Sequence, residues 1–208
     1  REVVKEMNRV GIMVDISHVS DDAFYQAVEL SEVPCIASHS SLRHFTTDFV
    51  RNMSDDMVKK LAEKGGVIQI NFGSGFLDQK IRDYQAEKRE ELRMMLAEKG
   101  LEYTDDEAEP IIEQFQKDNP NLYSDVEKVA DHIDRVVQLV GIDHVGLGSD
   151  FDGVGDSLPT GLKDVSQYPN LIFTLMKRGY SKEDIAKVCY KNVFRVWKEV
   201  QKYAKKAK

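Results

Sequence analysis

Two histidines in this sequence follow short apolar segments, and each is preceded by serine. They are His18, in Asp-Ile-Ser-His, and His39, in Ile-Ala-Ser-His. Neutral imidazole is the commonest metal ligand among side chains, and zinc, cobalt and iron all accept it. A single histidine is more often a core or surface residue than a ligand. Two at matching positions predict neighbouring imidazoles, and the pattern leaves a shared metal ion and a structural role both open.

A carboxylate and a guanidinium are candidates for the same site. Asp150 follows the apolar segment Val-Gly-Leu-Gly, and Asp152 comes two residues later. A carboxylate beside a metal ion can move protons between bound water and a leaving amine. We assign this catalytic role to Asp150, which is nearer the strand end, although an aspartate beside glycine also often forms a turn. Arg51 is by default a surface residue, but its loop is placed where a guanidinium could grip a substrate carboxylate.

Four apolar segments are predicted to position these residues. Residues 12–16, 33–37, 66–72 and 144–147 are nearly continuous apolar runs, which are typical of parallel strands covered by helices. Helices are predicted at about residues 21–30, 54–65, 77–99, 104–117, 125–140, 170–178 and 181–205. The alternation predicts a right-handed parallel α/β fold, whose active site lies at the carboxyl ends of the strands.

Other reactive residue types in the chain have simpler interpretations. His132 and Asp134 form a His-x-Asp pair, but the apolar residues around them have a helical period, so we interpret His132 as part of a helix. The cysteines, Cys35 and Cys189, are too few for a disulfide scaffold and lie in apolar stretches. Both are predicted to be buried free thiols, which do not indicate a cellular compartment.

The composition excludes several classes of protein. The 208 residues include 29 Lys and Arg against 36 Asp and Glu, which gives a net charge of −7. This acidic balance argues against a nucleic-acid partner, because phosphate binding needs clustered cations. No apolar run reaches the roughly 20 residues of a membrane span. The first eleven residues predict an amphipathic helix that ends at glycine, and we expect such a helix to continue from a longer chain.

The segments around these residues resemble the renal-type membrane dipeptidase family. The matching segments are residues 7–9, 15–20, 34–41, 51–52, 55–56, 65–68 and 144–153. The resemblance extends from residue 1 to about 197; it is weakest in a helical insertion at about residues 77–123, and Tyr-Lys-Asn at 190–192 departs from the family's Gly-Gly-Asn. It implies zinc-dependent hydrolysis of dipeptides on a (β/α)8 TIM barrel. Residues 1–208 would be the C-terminal portion of that single domain, with four parallel strands.

The resemblance also implies roles for individual residues. In the family, two zinc ions are bridged by a glutamate and a water or hydroxide. Two histidines that match His18 and His39 bind one ion, the aspartate matching Asp150 moves protons, and the arginine matching Arg51 binds the terminal carboxylate of the substrate. The other ligands, a His-x-Asp pair and the bridging Glu, belong to an N-terminal half that we expect before Arg1. This missing half would be a partner of the fragment, and the fragment alone would be inactive. The resemblance leaves open whether the complete protein forms a homodimer.

Two alternative functions follow from the same residues. Another metal-dependent TIM-barrel amidohydrolase, acting on cyclic amides, phosphoesters or lactones, would also place histidines at strand ends. A non-catalytic barrel binding protein would keep the fold and lose the chemistry. Arg51-Asn52 and the Gly-Ser-Asp-Phe-Asp-Gly run at 148–153 favour the dipeptidase over the first alternative. The retained His18, His39 and Asp150 argue against the second.

Overall fold

A three-stranded parallel sheet lies at the centre of the protein, whose computed structural model describes residues 1–207. The strands, in spatial order, are β1 (Ile36–Ala37), β2 (Val67–Asn71) and β3 (Val145–Ser149). Both neighbouring pairs are parallel. Because parallel strands run in one direction, their carboxyl ends meet at one edge of the sheet. We call this edge, with the loops that leave it, the rim.

The sequence predicted four strands, and the structure has three within its described residues. Residues 12–16, the predicted first strand, form a single parallel bridge, between Asp15 and Ile36. The pairing ends there because the Asp15 carboxylate accepts a hydrogen bond from the backbone N–H of Ser17 at 3.0 Å, and His18 has a positive φ of 69°. Both features turn the chain away from the sheet. The segment still runs beside β1, so its carboxyl end also reaches the rim.

The structure contains ten α-helices within residues 1–207. They are α1 (Glu2–Val10), α2 (Asp21–Leu30), α3 (Asp55–Glu63), α4 (Ser74–Leu77), α5 (Gln79–Glu98), α6 (Glu109–Asp118), α7 (Val126–Val140), α8 (Tyr168–Lys177), α9 (Lys182–Ala186) and α10 (Asn192–Lys206). The single helix predicted at 181–205 is divided, because a π-helical turn (Lys187–Lys191) joins α9 to α10. None of these helices is both long enough and apolar enough to cross a membrane.

Polar caps fix where several helices begin. The hydroxyl of Ser20 accepts a hydrogen bond from the backbone of Ala23, so α2 starts just beyond His18. Ser54 caps α3 in the same way. Ser181 and Asp184 form a capping box at the start of α9. The Ser20 cap keeps the connection between His18 and α2 short, which limits the freedom of His18 at the rim.

The two faces of the sheet are covered by different helices. Ile68 and Ile70 of β2 belong to the largest core cluster, together with buried residues of α3 and α7. Val67 points to the opposite face and packs with Val196 and Val200 of α10. Neighbouring residues of a strand face opposite sides, so a strand covered on both sides must be apolar on both. This is why Val67 is apolar like Ile68 and Ile70, although it lies on the opposite face of β2.

The cysteines differ in environment. Cys35 is 1% exposed, and burial raises the pKa of its thiol. Cys189 is only half-buried, on the π-helical turn. The prediction of two buried thiols is therefore confirmed for Cys35 and wrong for Cys189. The difference arises because Cys35 directly precedes β1 under the sheet, whereas Cys189 lies on an outer helical turn.

Candidate active site at the strand ends

The rim brings the two predicted histidines together. The Nε2 atoms of His18 and His39 are 2.9 Å apart, and the ring centroids are 4.9 Å apart. His39 comes two residues after the end of β1, and His18 follows the bridge that runs beside it. Their neighbouring positions on parallel segments therefore explain why the side chains meet.

A hydrogen-bonded chain behind His39 fixes its tautomer. The hydroxyl of Ser38 lies 2.5 Å from Asp15 Oδ2 and 2.7 Å from His39 Nδ1. Because an ionised carboxylate only accepts hydrogen bonds, Ser38 donates to Asp15 and accepts from the Nδ1–H of His39. Asp15 is held in turn by the backbone N–H of Ser38, at 3.0 Å. Nε2 of His39 therefore carries a lone pair, which is the state in which imidazole binds a metal.

The surroundings of His18 favour its neutral form. Partial burial of the ring, and then the positive charge of Arg51 and the proximity of His39, lower its pKa. The carboxylates of Asp150 and Asp15 act in the opposite direction. The net effect is a lowered pKa, so His18 is available as a neutral ligand over a wider pH range.

The position of Asp150 is set by the ends of β2 and β3. Asn71, fully buried at the end of β2, donates from Nδ2 to Asp150 Oδ2 at 2.8 Å. Oδ1 of Asn71 accepts a hydrogen bond from the backbone of Gly73 at 2.7 Å, so the amide cannot rotate freely. Ser149 and Asp150 have positive φ values of 33° and 66°. Such backbone strain in residues other than glycine is concentrated at functional sites.

A glycine leaves the room that Asp150 needs. A Cβ atom at Gly153 would lie 2.1 Å from Asp150 Oδ1, far inside van der Waals contact. The backbone N–H of Gly153 also donates to the Asp150 carbonyl at 3.1 Å. Asp152 is exposed and does not line the cleft that His18 and Asp150 share. The geometry thus separates the two aspartates, and it is Asp150 that shares the cleft with His18.

Arg51 lies behind His39. Its Nη2 donates to the His39 carbonyl at 2.7 Å, and its Nη1 donates to the hydroxyl of Ser40 at 2.8 Å. Its Nε is buried without a partner among residues 1–207. Burial lowers the pKa of the guanidinium, and the carboxylates of Asp150 and Asp15 oppose that effect. Each Nη atom keeps a second N–H, which leaves two donors for a ligand.

The histidine pair fits half of a metal site. Two nitrogen ligands of one tetrahedral zinc ion are about 3.3 Å apart, since each Zn–N bond is about 2.0–2.1 Å long. The observed separation of His18 and His39 is within a few tenths of an ångström of that value. Within residues 1–207, no group of three or more His, Cys, Asp or Glu side chains could hold a metal ion. The pair could therefore supply two ligands, and the others must come from elsewhere.

His132 and His144 lie away from this arrangement. His132 of α7 is fully buried; its Nδ1 accepts from the backbone N–H of Leu42 at 3.2 Å, and its Nε2 lies 3.1 Å from the Leu77 carbonyl. Burial lowers its pKa to about 3. His144 contacts the Gly66 carbonyl through Nδ1 at 2.8 Å. The helical, structural interpretation of His132 is confirmed.

Sequence reasoning assigned no role to several residues that organise the rim. They are Asp15, Ser38, Asn71 and Gly153. Each stands next to a strand end or a predicted site residue, so position along the chain was a usable signal. Their contacts depend on the register between parallel segments, as in the pairing of Asn71 with Ser149 across β2 and β3.

The fold and the rim together define a class of protein. Parallel strands whose carboxyl ends present two imidazoles and a carboxylate have an arrangement suited to metal-assisted hydrolysis. The whole chain, residues 1–208, matches the family model for membrane dipeptidase (peptidase family M19). This chain belongs to that family.

Curated relatives agree with this assignment over nearly the whole chain. Dipeptidase tcpJ of Claviceps purpurea is 34% identical over 204 residues, which are 98% of this chain and 38% of the relative. An uncharacterized dipeptidase of Schizosaccharomyces pombe is 34% identical over 201 residues, 96% of this chain and 38% of the relative. The chain therefore spans about two-fifths of the length of the curated relatives it matches.

Solved structures show the same relation. The probable dipeptidase PvdM from Pseudomonas aeruginosa superposes with a TM-score of 0.77 at 30% identity, covering 98% of this chain and 54% of that one. A metallo peptidase from Rhodobacter sphaeroides, liganded with a phosphinate mimic of the dipeptide L-Ala-D-Ala, gives a TM-score of 0.71 at 26% identity. That match covers 96% of this chain and 45% of the other. The α/β architecture described above is thus about half of a dipeptidase fold.

Proposed function

We propose that this chain is the part of a zinc-dependent dipeptidase that carries one pair of metal ligands, the proton-transfer carboxylate and the substrate-binding arginine. The observation that supports this most directly is the convergence of His18 and His39 through Nε2 at 2.9 Å, with the His39 tautomer set by Ser38 and Asp15. Membership of the membrane dipeptidase family supports the dipeptide as substrate.

The histidines and Asp150 divide the chemistry between them. His18 and His39 hold the metal; when bound, zinc supplies Lewis acidity that lowers the pKa of a water molecule and polarises the peptide carbonyl. Asp150 takes up the proton released during attack and passes it to the departing amine. Asn71 donates a hydrogen bond to Oδ2 of Asp150, so Oδ1 is the oxygen that exchanges this proton.

Arg51 selects substrates with a free C-terminal carboxylate. Its two unused Nη donors are presented from a guanidinium that is tied to the His39 carbonyl. A carboxylate bound there lies at a fixed distance from the histidine pair, so the peptide bond one residue away can be brought to the metal ligands. This limits cleavage to the peptide bond next to a free C-terminal residue.

The rest of the zinc site and of the barrel comes from polypeptide outside residues 1–208. The described residues supply two metal ligands, whereas a catalytic zinc site uses at least three protein ligands. β3 pairs only with β2 among the described residues, and parallel sheets seldom leave such an edge uncovered. We propose that further strands join this edge and the segment at residues 12–16, which closes a (β/α)8 barrel and brings the ligands of a second zinc ion.

The proposal is tested with the complete enzyme and a small panel of substrates. A dipeptide and its C-terminal amide are compared before chelation, after chelation and after zinc is returned. We expect hydrolysis of the dipeptide that is lost on chelation and restored by zinc. The amide should be cleaved far more slowly, because it lacks the carboxylate for Arg51.

The same panel includes a cyclic amide, a phosphoester and a lactone. Zinc-dependent cleavage of one of these, with no cleavage of dipeptides, would assign the protein to the other barrel amidohydrolases. Stoichiometric zinc binding without turnover of any substrate would indicate a non-catalytic binding protein. Either result contradicts the proposed dipeptidase.

A further inference from the structure

A cleft of about 940 Å³ extends from the rim to the helix α5. His18 and Asp150 line its rim end, and Arg82 and Arg89 of α5 line its other end. The cleft is large enough for a dipeptide. It connects the proposed catalytic groups with α5, a helix that has no part in the proposed chemistry. The side chains of α5 therefore bear on which substrates fit.

Arg82 is held in the cleft without a charged partner. Its Cζ lies 3.6 Å from the ring centroid of Phe49, and the side chain is half-buried. It forms no ion pair and no side-chain hydrogen bond with any residue from 1 to 207. Lys88, on the same helix, contrasts with it, because its ammonium is 2.9 Å from Glu91. A guanidinium stacked on an aromatic ring is oriented while its N–H edge stays free to bind an anion.

An aromatic pair connects Arg82 to Arg51. Phe49 and Phe76 pack edge to face with centroids 5.2 Å apart, and the Cζ of Arg51 lies 5.5 Å from the Phe76 ring. The two guanidinium groups thus flank one apolar platform. This order of charged and apolar groups matches a ligand with two anionic groups and a short aliphatic segment between them.

The charges that line the cleft favour an anion at the α5 end. Arg82 and Arg89 have no carboxylate partner in the described part of the chain. Asp156, which also lines the cleft, is engaged by the hydroxyl of Tyr123 at 2.6 Å and by Lys163 at 3.8 Å. The unmatched charge at this end is therefore positive, and a carboxylate entering the cleft gains attraction there.

We propose that Arg82 binds an acidic side chain of the substrate's C-terminal residue, so that dipeptides ending in Glu or Asp are preferred. The inference rests on the proposed dipeptidase function, in which Arg51 takes the terminal carboxylate. The side-chain carboxylate then reaches Arg82 across the Phe49–Phe76 pair, and the aliphatic carbons of the residue lie on those rings.

The test compares Ala-Glu with Ala-Gln, which differ in charge but hardly in size. kcat/KM is measured for both in the complete enzyme, with the C-terminal residue in the L and D forms. The wild type should prefer Ala-Glu by about tenfold, as one charge-assisted hydrogen bond allows. Arg82→Gln should bring the ratio close to one, and Arg82→Lys should keep part of it. Arg93→Gln, on the same helix but outside the cleft, should keep the full preference.

Each other outcome counts against the inference. An unchanged ratio in Arg82→Gln, or no preference in the wild type while Ala-Gln is cleaved, overturns it and leaves the dipeptidase function intact. A preference that depends on Arg82 for Glu-Ala over Gln-Ala instead overturns the assignment to the C-terminal residue. If neither Ala-Glu nor Ala-Gln is cleaved, the proposed function itself fails and the inference fails with it.

Discussion

The rim and the seam between α7 and α8 are both rich in polar side chains, but they use them in opposite ways. At the seam, Arg178 of the α8 end contacts Glu127, Asp131 and Asp134 of α7 at 2.6, 2.9 and 2.6 Å. Each of these groups finds its partner within the described protein. At the rim, by contrast, the Nε2 atoms of His18 and His39 meet only each other.

The two regions also differ in backbone strain. The seam is built on regular helix, whereas His18, Ser149 and Asp150 at the rim have positive φ values. Each such residue costs about 1–3 kcal/mol, which the surrounding structure must offset. The contacts at the seam therefore need no role beyond stabilising the fold, whereas the strained residues at the rim cost stability and need another explanation. Hydrogen-bond donors and lone pairs that have no protein partner and are held on strained backbone are expected where a bound ligand supplies the missing contacts.

The largest expected effect tests whether the rim is catalytic. Asp150→Asn in the complete enzyme should lower kcat by about 10³-fold, within the usual range for loss of a proton-transfer group. The zinc content should change little, because Asp150 is not among the proposed ligands. Steady-state kinetics and metal analysis measure the two quantities.

Asp152→Asn is the matched control for this change. It removes the same charge two residues away, on an exposed side chain outside the cleft, and should leave kcat within a few-fold of the wild type. Similar kinetics for the two variants would show that Asp150 has no special role at the rim.

A smaller effect tests how Ser38 positions His39 as a zinc ligand. Ser38→Ala removes the hydroxyl that holds Nδ1–H, so zinc affinity should fall by about 10–100-fold, as is usual for a lost partner of a metal-binding histidine. Competition with a chelator of known affinity measures this. Ser166→Ala removes an exposed serine that also donates to an aspartate, Asp164, but has no hydrogen bond to His39. Equal zinc affinity in both variants would contradict the positioning role of Ser38.

The last prediction concerns stability rather than activity, and it tests the α7 region through its histidine. The pKa of His132 is about 3 in the folded protein and about 6.5 when the chain is unfolded. Between these values only the unfolded chain binds the proton, so the stability contribution is complete above pH 6.5 and is lost as the pH falls towards 3. The free energy of unfolding should fall by about 1.4 kcal/mol per pH unit from this group.

His132→Gln isolates that contribution. Glutamine keeps a donor for the Leu77 carbonyl but does not titrate. Between pH 4 and 6, the slope of the free energy of unfolding against pH should therefore be smaller by about 1.4 kcal/mol per pH unit, the contribution of one proton. Urea unfolding of the complete protein at several pH values measures the slope. An identical slope in wild type and variant would mean that His132 is protonated in the folded state.

The sequence predicted the part of the fold that depends on local pattern. The apolar runs at 66–72 and 144–147 correspond to β2 and β3, and the helical period around His132 corresponds to α7. Residues 12–16 have the same composition as a strand but form one bridge. The reason is only partly local: the Asp15 side chain accepts from the backbone of Ser17, two residues on, and also from the backbone of Ser38 on the neighbouring segment.

The site was predictable in its residues but not in its connections. Paired Ser-His sequences after two apolar runs were enough to place His18 and His39 together. The link from His39 through Ser38 to Asp15 required two segments to lie side by side in one register, which no local pattern encodes. Arg82 was missed for a similar reason, because its contact with Phe49 joins α5 to the loop that carries Arg51.

One measurement tests the central claim most directly: the location of zinc in crystals of the complete enzyme, from anomalous scattering at the zinc edge. The account predicts a peak about 2.0–2.2 Å from Nε2 of both His18 and His39, with Nδ1 of His39 still bonded to Ser38. A peak that touches only one of these rings, or that contacts His39 through Nδ1, would contradict it.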